Sequence, residues 1–67
     1  MSKEKIDSIK KICDLILEAS FDANDHIIDI ADCMNEWPDV RSLKKLSEIN
    51  GYALSIKTIL EILETGD

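Results

Sequence analysis

Apolar residues recur at alternating steps of three and four along almost the whole chain, a spacing that admits helices and little else. The first run is Ile6, Ile9, Cys13, Ile16, Ser20, Ala23, Ile27, Ile30, Met34 and Trp37. The second is Leu46, Ile49, Ala53, Ile56, Leu60 and Leu63, with Val40 and Leu43 leading in. Each run is the a/d seam of a heptad repeat. No stretch alternates strictly enough to read as a strand. Breakers are sparse: Pro38, Gly51 and Gly66.

Trp37-Pro38-Asp39 is the expected turn, because proline disfavours helical geometry at the residue before it and Asp39 suits an N-cap. Ser20 to Asp25 is a weak spot, since Ser, Asn and Asp favour caps and turns. A break there would give three helices. The seam crosses it in register, so one long helix is expected. The reading is a single all-α unit over residues 1–67: helix about 4–36, turn 37–39, helix about 40–64. Two long helices on a short loop lie antiparallel, as a helical hairpin. Asn50-Gly51 is read as helical, with Gly51 admitting another backbone closely, and Gly66 as the glycine that ends the second helix. Lys3, Lys5, Lys10 and Lys11 are expected near Glu61, Glu64 and Asp67. At the turn, Asp32 and Glu36 are expected near Arg41, Lys44 and Lys45.

The apolar surface exceeds what one hairpin buries. Leu17, Phe21 and Ile28 fall beside the first seam on a helical wheel, while Tyr52, Ile59 and Leu54 widen the second. These six are the expected interface with another chain, and a homodimer forming a four-helix bundle is the economical way to cover them.

Composition narrows the function classes. With 14 acids against 8 bases the net charge is −6, which disfavours nucleic acid and anionic membrane as partners. An apolar content of 45% is too high for disorder. No apolar run reaches the ~20 residues of a membrane span, and the charged start Met1-Ser2-Lys3-Glu4-Lys5 does not read as a signal peptide, so a cytoplasmic location is expected. Cys13 and Cys33, twenty residues apart on one helix, are out of disulfide reach and fit a reducing compartment.

Candidate chemistry is thin. His26 has Asp22, Asp29 and Cys33 at helical spacings, yet no HExxH, CxxC or second His accompanies it, and no metal or other cofactor is expected. Seven acids between Asp14 and Glu36, uninterrupted by Lys or Arg, form a solvated outer face or a docking face for a basic partner. Arg41, Lys44 and Lys45, at the start of the second helix, and Lys57, inside the apolar arc, are the candidate anion contacts. An enzyme is not expected.

Three resemblances are of layout. The acidic hairpin is similar in length and form to the plasmid copy-number regulator Rop, a dimeric RNA-binding bundle, although no RNA-contacting residues match. It also resembles the small co-chaperones of type III secretion needle subunits, through the stretch from Ala53-Leu54 to Leu63. Gly51-Tyr52-Ala53-Leu54-Ser55-Ile56-Lys57-Thr58-Ile59 is similar to a stretch of phage sponges, which sequester cyclic oligonucleotide signals. The function expected is a small non-enzymatic interaction protein, an adaptor, chaperone or inhibitor of another protein. The alternatives are an anionic (cyclic) nucleotide held between subunits, or Rop-like RNA binding.

Overall fold

The computed structural model describes residues 2–65, which form two helices packed side by side: α1, Lys3–Cys33, and α2, Val40–Thr65. Gly66 and Asp67, given a C-terminal cap and an ion pair above, lie outside the described residues. The hairpin measures 53 × 16 × 11 Å, with a radius of gyration of 15.6 Å. A globular chain of this length would have a radius near 11 Å. The molecule is a single layer.

Each helix end has a local cause. Ser2 caps α1, its hydroxyl accepting from the Lys5 N–H at 3.2 Å. The helix runs unbroken through Ser20–Asp25, because the seam on both sides keeps one register. It stops at Cys33, three residues short of the expected end. The cause is Asn35, whose φ of 55° is left-handed. The Asn35 N–H donates to the Asp32 carbonyl at 3.2 Å and the Glu36 N–H to the Ala31 carbonyl at 2.9 Å. That pair of bonds is a Schellman cap, and Asn is second only to Gly in tolerating its left-handed position. Proline was the signal read in the sequence; the asparagine three residues earlier is what ends the helix.

Asp39 caps α2. One carboxylate oxygen accepts from the Arg41 and Ser42 N–H groups at 3.1 and 3.3 Å, and the other accepts from the Ser42 hydroxyl at 2.9 Å. These bonds favour the ionised form and hold the Asp39 carboxyl below its usual range, those from Ser42 most of all.

The interior between the helices is built mainly of small residues. Buried are Ile6, Cys13, Ser20 and Ala31 on α1, with Ala53 and Leu60 on α2. At mid-height Ser20 meets Asn50 across the helix pair. The Ser20 hydroxyl also lies 2.9 Å from the Leu17 carbonyl. The hydroxyl has one proton, which it can donate to the Asn50 side-chain oxygen or to that carbonyl. Small side chains let the backbones approach, and a polar pair at one level penalises any slip in register. Lys10 Nζ to Glu64 at 3.1 Å ties the open end.

Two expectations about packing are corrected. Gly51 is exposed, and a Cβ placed there meets nothing within 4 Å, so no backbone crosses at it. At the turn, Arg41 and Lys44 have no ion pair among the described residues; Lys45 reaches Glu48 on its own helix at 3.7 Å. The cap at Asn35 and the extended turn direct that end elsewhere.

Candidate functional site

The seam read from the sequence does not all point at the sister helix. Its residues divide by sevens. Ile6, Cys13 and Ser20, with Ala53 and Leu60, are buried between the helices, and Ile27 and Leu46 are half-buried. Ile16, Ile30, Ile49, Ile56 and Leu63 turn outward. Trp37, placed at the end of the first seam, is 94% exposed in the turn.

At 100° per residue the buried positions define the direction from each helix to its sister. The centre of each heptad seam lies to the N-terminal-stepping side of that direction, by roughly 40–50° on α1 and about 20° on α2. In an antiparallel pair, stepping backward around α1 and backward around α2 leads to the same side of the hairpin. Both seams therefore tilt toward one face. A hollow of about 360 Å³ on that side is lined by Ala23 and Ile27 of α1 together with Arg41, Ser42, Lys45 and Leu46 of α2, which places the two flanks together.

That broad face carries Ile12, Ile16, Ile30 and Met34 from α1 and Ile49, Tyr52, Ile56, Ile59 and Leu63 from α2, each between 39% and 67% exposed. No charged residue interrupts it from Ile9 to Met34 or from Ile49 to Leu63. Arg41 and Lys45 stand at its edge by the turn. Contiguous exposed apolar side chains of this kind mark an interaction surface.

The opposite face is different. Phe21 and Leu54 are 58% and 53% exposed there, Ile28 is 37%, and Leu17 and Leu43 are half-buried beside them. Acids line this strip's α1 flank, Asp14, Glu18, Asp25 and Asp32, and Glu61 of α2 stands beside it, all exposed. Lys57 lies on this side as well, its ammonium 2.7 Å from an Asp14 oxygen. The Asp14 hydrogen bond and charge raise the Lys57 pKa above its ordinary 10.5.

The six interface residues read from the sequence thus belong to two surfaces. Tyr52 and Ile59 lie on the broad face; Phe21, Ile28 and Leu54 lie on the acid-rimmed one. Leu17 sits between that second face and the sister helix. Sequence reasoning assigned Ile12, Ile16, Ile30, Ile49, Ile56 and Leu63 to no spare surface, although Ile12 and Ile59 flanking the seams on corresponding sides was a usable sign.

The chain matches no family model, no curated protein and no solved structure.

The four anion-contact candidates are not gathered into one site. Arg41 and Lys45 border the hollow beside Ala23 and Ile27, whereas Lys57 is on the far side with Asp14. The Arg41 and Ser42 N–H groups, which would greet an anion at the helix start, are taken by Asp39. Among the described residues no three of His, Cys, Asp and Glu stand close enough to hold a metal ion. Cys13 is buried and Cys33 exposed, both as free thiols. Neither helix is long and apolar enough to cross a membrane.

Proposed function

We propose that this hairpin is half of a four-helix bundle, completed by a second copy, and that the dimer is a non-enzymatic interaction protein, acting as an adaptor, chaperone or inhibitor. The tilt of the two seams carries the reading. In a two-helix coil the seam faces the sister helix directly. In a square of four helices it faces the bundle axis, about 45° away, and both seams lean toward the same side, α1 by about that angle and α2 by less.

Energetics supports the same arrangement. A single layer with a small-residue interior leaves its largest aliphatic side chains wet, and a chain this short has little stability in reserve. Covering each one fully is worth about 1.5–3 kcal/mol before the cost of association. A second copy offers the same uncharged face at the same length, so an isologous pair covers both at once. The anionic-ligand reading has less support, because the α2 amide groups are capped and Lys57 is paired.

Light scattering coupled to size exclusion tests the proposal. The wild type should run at twice 7.6 kDa at tens of micromolar. Ile16→Glu with Ile56→Glu should run as one chain, since each carboxylate would have to be desolvated at the interface. A monomeric wild type would overturn the bundle.

A further inference from the structure

We infer that the acid-rimmed face is a docking site for a basic amphipathic helix of a partner protein. The inference rests on the bundle reading, which uses the broad face and leaves this one outward. An exposed Phe21, two turns from Ile28 and at the level of Leu54, gives a strip about as long as the stripe of a short helix. Solvated outer faces of bundles carry charge rather than a half-exposed aromatic, an isoleucine and a leucine in line.

Charge selects the occupant. Among the described residues Glu18, Asp25, Asp32 and Glu61 have no ion-pair partner, and Lys57, the lysine beside them on α2, is engaged by Asp14. A helix with an apolar stripe flanked by Lys or Arg would bury Phe21 and Leu54 while setting its cations against those four carboxylates. An acidic helix or an anionic membrane would meet those four carboxylates as like charge. In the dimer the face occurs twice, so a partner presenting two such helices would bind with the added strength of bivalence.

Fluorescence anisotropy with a labelled ~18-residue Leu/Lys peptide, its leucines at helical spacing, tests the site. A scrambled peptide of equal charge and a Leu/Glu peptide with the same stripe are the comparisons. The Leu/Lys peptide should bind the wild type at least about tenfold more tightly than either. Phe21→Ser with Leu54→Ser should remove that preference while the light-scattering mass stays that of the dimer. Equal binding of the scrambled peptide would reduce the face to bulk charge and overturn the proposal. So would unchanged binding by the variant, or its dissociation to single chains. A wild-type monomer whose peptide preference still depended on Phe21 and Leu54 would sink the bundle and leave this site standing.

Discussion

The two faces of the hairpin come from the same two helices, yet one is broad and free of charge and the other is narrow and flanked by acids. The broad face lies along the heptad seams, so its side chains recur every seven residues and run most of the length of α1. The acid-rimmed face lies outside the seams, where Phe21, Ile28 and Leu54 interrupt a surface otherwise given to carboxylates. An uncharged face of that size is costly to leave in water and suits a lasting contact. Apolar residues set among charges suit a contact that forms and releases, because the rim remains hydrated when the partner leaves.

The sharpest way to break this contrast is to place the same charge on each face. Ile12→Lys with Ile59→Lys should lower stability by about 3 kcal/mol or more, by denaturant unfolding at fixed protein concentration, because the proposed dimer covers both side chains. Phe21→Lys with Leu54→Lys should cost under about 1 kcal/mol, as a surface change does. Equal losses would show that both faces are buried alike.

The seam between the faces gives a smaller effect. Asn50→Ala removes the cross-helix partner of Ser20 but leaves the serine its bond to Leu17, so a loss of about 1 kcal/mol is expected in the same measurement. Gly51 lies on neither the small-residue seam nor the broad face. With open space around its Cβ position, Gly51→Ala should raise stability by up to about 1 kcal/mol, and a loss would mean that a chain comes close there in the assembly.

The pH dependence should be smallest. Asp39 has a lowered pKa, so its cap stabilises fully above the unfolded carboxyl pKa and is lost as pH falls through the folded value, below about 4. Lys57 has a raised pKa, so its pair with Asp14 contributes fully below the unfolded value and is lost as pH rises through the folded one, beyond 10.5. Between those limits neither group should make melting temperature depend on pH. Asp39→Ala should flatten the acid limb and Lys57→Met the alkaline one. An unchanged limb would show that other groups set it.

Much of this architecture is local and can be read along the chain. Steps of three and four specify helices, Pro38 excludes a helix through residue 37, and Asp39 two and three residues before the Arg41 and Ser42 amides is a cap wherever it stands. Asn35 was legible only in principle, since an asparagine takes a left-handed conformation at a helix end and ordinary helical geometry elsewhere. The direction of the seams was another matter. Apolar residues spread over half or more of the circumference of each helix, and periodicity sets the width of such a stripe without saying which part meets the sister. That choice belongs to packing: Cys13, Ser20, Ala31 and Ala53 are small enough to bring the backbones together, and Ser20 finds its partner Asn50 only in that orientation. Once those residues face inward, rigid helical geometry carries Ile16, Ile30, Ile49, Ile56 and Leu63 to one open face and Phe21 and Leu54 to the other.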